Sequence, residues 1–368
     1  MTPAVILLNF GEPEELSLEV VIRYLERIFA ANARLDGNED EAAAARRSRD
    51  LAARRAPGLL EEYRAIGGSP LGRQCAEQAR ALEQELLRRG RAARTYVGMQ
   101  FTEPGIPEVA HRAEEEGADL LVGVPVYPLC GRSTTVAALD ALADAVRRER
   151  WKVSLRAISG WHRHPAYLSL RTDAIRRHAA AAGVALQDPG TRLVFSAHGT
   201  PLKYLREGNR YEHYVGEWCA SVARELGVER YALGYQNHAN RGIEWTRPEI
   251  VEVVSGLEAD RIVVDAVSFM HEQSETLSEL DLELRQVAER AGLAFHRVPI
   301  PHDDPRFAGV LADLVEPLIG GPVAEGLELA ECRCRSAPDT VCLNAGAAHG
   351  AARASSRRFG RGSKSLSE

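Results

Sequence analysis

The chain has 368 residues, of which 45% are apolar and 27% charged, the balance of a folded protein with room for about two domains. Its net charge of −6 does not support a nucleic-acid partner, which needs a basic surface. No apolar run reaches the roughly 18 residues that cross a bilayer.

The N-terminus, MTPAVILLNFGEPEE, has neither a basic leader nor a small-residue cleavage site. It reads as a first strand, and a cytoplasmic protein is expected. That strand is 5–9, followed by a turn at Gly11 and a helix over 16–31. A second, charge-rich helix spans 40–55, then a loop holds Tyr63 and Gly67-Gly68-Ser69-Pro70 and leads into a helix ending at 87. Strand 95–99, helix 106–116 and strand 119–126 follow, and Ser133-Thr134-Thr135 opens a helix over 136–149. The pattern then restarts, with strand 153–158, helix 166–181, strand 192–196, helix 211–226, strand 231–235, helix 248–256, strand 261–267, helix 275–291, strand 294–298 and helix 305–319.

Alternating strands and helices specify parallel sheets covered on both faces, so the fold class is α/β. Two Rossmann-like, doubly wound domains in tandem are expected, with the active-site cleft between them. The first spans 1–145 and is joined by the C-terminal helix at about 304–322; the second spans 146–303. A cysteine-containing extension, 323–345, and a basic tail, 346–368, read as disordered, complete the chain.

Two strand ends carry the chemistry. His198 stands at the carboxyl end of the strand built on Leu193-Val194-Phe195, where open α/β sheets bind ligands. Thr200 and Pro201 look like the N-cap and first position of the next helix. The second strand end is Asp265–Asp281, DAVSFMHEQSETLSELD, in which Glu272, Glu275 and Glu279 stand three and four apart. On one helix face such a row calls for an offsetting cation or proton, although acids at a helix N-terminus also interact favourably with its dipole.

In order and spacing these segments resemble the ferrochelatases. The likeness runs through Leu8-Asn9-Phe10-Gly11-Glu12-Pro13, Tyr63-Arg64 with Gly67-Gly68-Ser69-Pro70, and Tyr127-Pro128 with Ser133-Thr134-Thr135. It continues through Phe195-Ser196-Ala197-His198-Gly199-Thr200-Pro201, Gly208-Asn209-Arg210-Tyr211, Gln236, Trp245, Glu275-Thr276-Leu277, Glu279-Leu280-Asp281 and Phe295-His296-Arg297. The resemblance implies two Rossmann-like domains and insertion of ferrous iron, as substrate, into a porphyrin with loss of two protons. It places the working histidine on His198 and its partner on Glu275, with Glu279 continuing the trail of acids; these three are the candidate metal-contacting residues. A near-neutral base suits pyrrole deprotonation, and imidazole and carboxylate both ligate iron. Phe10, Tyr63 and Trp245 are candidates for the porphyrin walls, with core packing the other account of Phe10 and Tyr63. Ser69 and Ser133 reach a propionate or cap a helix.

Two positions depart from the family pattern. Gln273 stands where many members have a second histidine, with His271 two places earlier, and Gln100-Phe101 replaces an Arg-Tyr pair that would anchor a propionate. Of the six cysteines, Cys332, Cys334 and Cys342 lie in the extension, and Cys130 follows a strand. The resemblance implies a [2Fe–2S] cluster on these four, with structural zinc or free thiols as alternatives. Cys75 and Cys219 read as packing residues. The substrate is protoporphyrin IX or coproporphyrin III. The alternatives are a non-catalytic tetrapyrrole-binding protein and a cobalt or nickel chelatase of the same fold. Stretch 32–57 is charged and Ala-rich, so no apolar lip is visible and peripheral membrane contact stays open.

Overall fold

A computed structural model describes residues 2–32, 40–149, 151–237, 243–332, 335, 337 and 339–344. The first sheet is built from β1 (Pro3–Asn9), helices α1 (Leu18–Asn32), α2 (Glu41–Ala65) and α3 (Leu71–Arg88), β2 (Arg94–Met99), α4 (Ile106–Glu115), β3 (Leu120–Pro125), a π-helical turn (Arg132–Val136) running into α5 (Ala137–Arg148), and β4 (Ser154–Ile158). Its four parallel strands lie in the order β2-β1-β3-β4. Successive residues of β1 alternate between two cores, as a strand buried on both faces must. Val5 and Leu7 pack with Leu82, Leu86, Val122 and Val124, whereas Ala4, Ile6 and Leu8 pack with Ile106, Val109, Leu139 and Leu142.

The second unit repeats this winding. It comprises α6 (Pro165–Ala181), β5 (Thr191–His198), α7 (Leu202–Arg206), α8 (Tyr211–Leu226), β6 (Tyr231–Gln236), α9 (Ile250–Ser255), β7 (Arg261–Ala266), a π-helix (Glu275–Leu284) continuing as α10 (Arg285–Arg290), and β8 (Ala294–Arg297). The strand order β6-β5-β7-β8 matches that of the first sheet. Both second strands carry a glycine where the next helix enters. A Cβ on Gly98 would lie 3.3 Å from the Ile106 Cα, and one on Gly234 would lie 2.6 Å from the Ile250 Cα.

Several expectations are corrected. Residues 154–158 do not open the second unit; β4 pairs with β3 in the first sheet, because Leu120 to Gly123 offer it a free parallel edge. Helix α2 does not stop at 55 but runs through Pro57 to Ala65. The lost backbone bond at a mid-helix proline costs about 3 kcal/mol. Ala52, Ala56, Leu60 and Tyr63 offset it by burial against Val21, Tyr24 and Leu25 of α1, at roughly 1.5–3 kcal/mol for each large side chain. Thr200 caps nothing: its N–H donates to the Thr246 hydroxyl (3.1 Å), Pro201 bridges to Trp245, and the helix after it is the single turn α7. Helix 275–291 begins as a π-helix and 305–319 ends in a 3₁₀ turn after α11 (Pro305–Val315).

Helix α11 returns to α3 of the first unit, where Arg89 pairs with Asp313 (2.6 Å) and Glu316 (2.7 Å). The extension then adds β9 (Ala330–Glu331) and β10 (Thr340–Cys342) to the outer edge of β4. Buried Arg335 fastens it by donating to Asp140 (2.8 Å), Thr340 Oγ1 (2.8 Å) and the Leu139 carbonyl (3.2 Å). Cys334 and the tail 346–368 lie outside the described residues. Among the described residues no helix is long and apolar enough to cross a membrane.

Candidate active site

Each sheet reverses its winding beside its first strand, so the loops after β1 and β3 and those after β5 and β7 leave the two switch points. Together they line one cleft of about 390 Å³, a volume typical of a small-molecule site. Helices α1 and α2 supply Tyr24, Leu25, Ile28, Leu51 and Leu59 to its apolar wall, and Arg47 and Arg55 also line it.

His198 is the last residue of β5, and its backbone is held on both sides. Its N–H donates to the Ser268 hydroxyl (3.0 Å), and its carbonyl accepts from the Tyr211 hydroxyl (3.0 Å). The imidazole Nδ1 lies 2.7 Å from the Gly199 carbonyl, so Nδ1 carries the proton and Nε2 is the basic nitrogen. Burial pushes its pKa below the usual range, which keeps the ring neutral at pH 7.

Glu275 opens the π-helix. Its Oε2 accepts from the Gln273 amide (3.0 Å) and the Ser274 hydroxyl (3.1 Å). Gln236, paired with His198 across β5 and β6, donates one amide group to the Glu275 carbonyl (2.9 Å) and to Glu279 Oε2 (2.8 Å). The Ser196 hydroxyl holds the other end of that amide at 2.9 Å. The wide π turn stacks positions four apart more nearly in line than an α-helix does, so 275, 279 and 283 form the row. Burial raises the Glu275 pKa, and burial together with the Glu275 charge pushes Glu279 up to about 8. Glu62 on α2 is also raised, by burial and then by Glu283. These acids share one electrostatic cluster that a cation or a proton stabilises.

Glu272 does not join the row. It turns away to Arg297 (3.0 Å), the Ile300 N–H (2.8 Å) and the Thr276 hydroxyl (2.6 Å), which fixes the strand-to-helix turn. His271 lines the cleft two places before Gln273, but its Nε2 is engaged. Its Nε2 lies 2.7 Å from Gln78 Oε1, and burial pushes its pKa down to about 3.

Phe10, Tyr63, Ser133 and Trp245 line the cleft with His198, Glu275 and Glu279. Phe10 packs on the buried Phe101 with ring centroids 4.5 Å apart, so Phe101 backs the aromatic wall from behind. The Gln100 amide donates to the Ser133 carbonyl (3.3 Å). Tyr63 is fully buried and gives its hydroxyl to Glu12 (2.9 Å). Ser69 is not among the cleft-lining residues; it donates to Glu12 (2.5 Å) and accepts the N–H of Leu71 at the start of α3 (3.2 Å). Sequence reasoning had not singled out Glu12 as a site residue. It is 5% exposed, and burial and the Glu275 charge push its pKa up to about 7. The available signal was an acid set between Gly11 and Pro13 at a strand's carboxyl end.

The sequence family decides what kind of cleft this is. The ferrochelatase family model matches residues 2–318. The chain belongs to the ferrochelatase family. It is 36% identical over 287 residues to the ferrochelatase of Synechococcus sp. (strain RCC307), covering 75% of this chain and 73% of that one. To the ferrochelatase of Picosynechococcus sp. (strain ATCC 27264 / PCC 7002 / PR-6) it is 32% identical over 325 residues, with 84% and 81% covered. Among solved structures it is similar to CbiX, the terminal enzyme for siroheme biosynthesis in denitrifying bacteria, at a TM-score of 0.48 and 16% identity over 85% of this chain and 98% of that one. As a ferrochelatase-family member the protein is an enzyme, a metal chelatase of tetrapyrrole biosynthesis.

Cys75 packs beside the cleft, its Sγ 3.5 Å from His271 Nε2. Cys130, Cys332 and Cys342 are buried, and the segments that carry them bond to residues 159–162 just after β4. The Ser159 hydroxyl lies 2.9 Å from Cys332 Sγ, Leu343 beside Cys342 donates its N–H to the Gly160 carbonyl (2.9 Å), and Pro128 near Cys130 accepts the N–H groups of Trp161 and His162 (2.9 Å each). Among the described residues no group of three His, Cys, Asp or Glu side chains is placed to hold a metal ion.

Proposed function

We propose that this protein inserts ferrous iron into a porphyrin whose core gives up two protons as the metal enters. The observation that carries this is the convergence of His198 and the Glu275–Glu279 row on one apolar cleft. With Nδ1 tied to Gly199, the Nε2 of His198 is oriented as base or iron ligand. Glu275 and Glu279 pass protons away from the core, toward Glu62 and Glu283, or hand the hydrated cation inward along the same row. The aromatic wall of Phe10 and Trp245 grips the macrocycle, and Arg47 and Arg55 supply positive charge for propionates. The substrate is protoporphyrin IX or coproporphyrin III, and the protein works in the cytoplasm.

Cys130, Cys332, Cys334 and Cys342 hold a [2Fe–2S] cluster in this proposal. What supports it is the family resemblance and the burial of the three described thiols; as placed they do not gather into a metal site, so the cluster requires them to draw together with Cys334. When bound, the cluster would supply a redox-responsive crosslink between the extension and the first sheet.

The test is anaerobic turnover of ferrous iron with each porphyrin, followed by loss of porphyrin fluorescence. Rapid loss with one of the two establishes the activity and the substrate. Tight porphyrin binding with no turnover on either would overturn it in favour of a tetrapyrrole-binding protein.

A further inference from the structure

Insertion as described above uses His198, Glu275 and Glu279 but gives no task to Glu12. That carboxyl is buried and accepts from the Tyr63 hydroxyl (2.9 Å), the Ser69 hydroxyl (2.5 Å), the Ser274 N–H (3.2 Å) and the Ser274 hydroxyl. Its donors come from the end of α2, the α2–α3 loop and, 262 residues away, the residue before the π-helix. All four are neutral, and no Lys or Arg pairs with Glu12 among the described residues.

A neutral set of this kind makes a costly crosslink. A buried carboxylate without a cationic partner loses several kcal/mol of hydration, where an amide or an apolar contact would join the same segments at less cost. The position of the far contact suggests what Glu12 is for. Ser274 is held by Glu12 through both its N–H and its hydroxyl, and the same hydroxyl lies 3.1 Å from Glu275 Oε2. A hydroxyl has one proton, so it donates to one carboxyl at a time. How firmly Glu12 holds Ser274 therefore sets the place and the hydrogen bonding of Glu275. The anchor is itself stiff: Gly11 has φ +87°, and a Cβ there would lie 2.2 Å from Thr102 Oγ1.

We propose that Glu12 is a positioning residue for metal insertion, clamping Ser274 across the two units so that Glu275 faces the reacting core. This inference rests on the insertion chemistry proposed above. Its ligand-side consequence is specific: porphyrin binding does not depend on Glu12, whereas the chemical step does.

The experiment compares Glu12→Gln, Glu12→Asp, Ser274→Ala and the double variant Glu12→Gln/Ser274→Ala with the wild type. Each is assayed for kcat, for KM toward porphyrin and ferrous iron, and for folding by circular dichroism. Glu12→Gln is isosteric but turns an NH₂ group toward the hydroxyl donors. We expect its kcat to fall about 100-fold, the loss typical of a misplaced catalytic group, with the porphyrin KM within about twofold. Glu12→Asp restores part of kcat. The double variant loses less than the product of the two single losses, because both changes break the shared Glu12–Ser274 contact. A folded Glu12→Gln enzyme with wild-type kcat overturns the proposal, as does a double variant whose losses multiply. If Glu12→Gln does not fold, Ser274→Ala decides: a selective fall in kcat supports the proposal and unchanged kcat overturns it. Absence of wild-type turnover with either porphyrin would instead sink the insertion chemistry.

Discussion

Replacing Glu279 with glutamine should make the protein more stable at alkaline pH and leave it unchanged at acid pH. Burial and the neighbouring Glu275 push the Glu279 carboxyl up to about 8, against 4.5 for an unperturbed glutamate. A raised carboxyl pKa means that the folded state holds a proton the unfolded chain has already lost. The stability tied to that proton is full below about pH 4.5 and drains away as pH rises to 8 and beyond. A difference of about 3.5 pH units corresponds to a ceiling of roughly 5 kcal/mol, at 1.36 kcal/mol per unit. Relaxation and water penetration bring the expected gain of the variant to about 2–3 kcal/mol at pH 9. The Glu279→Gln side chain keeps a carbonyl acceptor for the Gln236 amide, so the contact at 2.8 Å survives the change. Urea unfolding of metal-free wild type and variant at pH 5, 7 and 9 measures it. A difference that is constant with pH, or that shrinks toward pH 9, would refute the electrostatic account of the acid row.

Three further outcomes are expected. His198→Ala should lose about 100- to 10,000-fold in turnover, the span for removing a general base, while binding porphyrin normally by fluorescence; near-wild-type turnover would strip His198 of its role. Cys334→Ser should abolish cluster absorption in the visible spectrum, and wild-type protein that contains zinc without iron or sulfide would refute the cluster. Arg171 and Asp265 form an ion pair with both side chains fully buried. Arg171→Met should cost about 3–5 kcal/mol in urea unfolding by stranding Asp265, with much of the loss recovered by adding Asp265→Leu.

Much of the site was legible because strand ends are legible. The run Leu193-Val194-Phe195 marks a buried strand, and a polar residue closing such a strand falls where open sheets bind ligands, which is where His198 sits. Glu275 and Glu279 could be paired from their spacing. Glu272 could not be separated from them, because what removes it is Arg297, a partner 25 residues further along the chain. The roles of Tyr63 and Ser69 were out of reach for the same reason. Both hydroxyls point to a carboxyl that only the packing of α2 and the α2–α3 loop against the β1 turn brings near. Local pattern was equally blind to the π-helix, whose start is held by the Gln236 side chain at the end of β6 and by Glu12 in the turn after β1.

The amino-acid sequence by itself determined the alternation of strand and helix and the tandem α/β architecture, which depend on hydrophobic period, and the family, which depends on the order and spacing of motifs along the whole chain. Tertiary structure alone decided that β4 completes the first sheet, that the extension forms two strands on its edge, and that Glu12 reaches across both units to Ser274. The physical reason is that strand pairing and the satisfaction of buried carboxyls are settled by whichever partners arrive from distant segments, and a local sequence window contains no record of them.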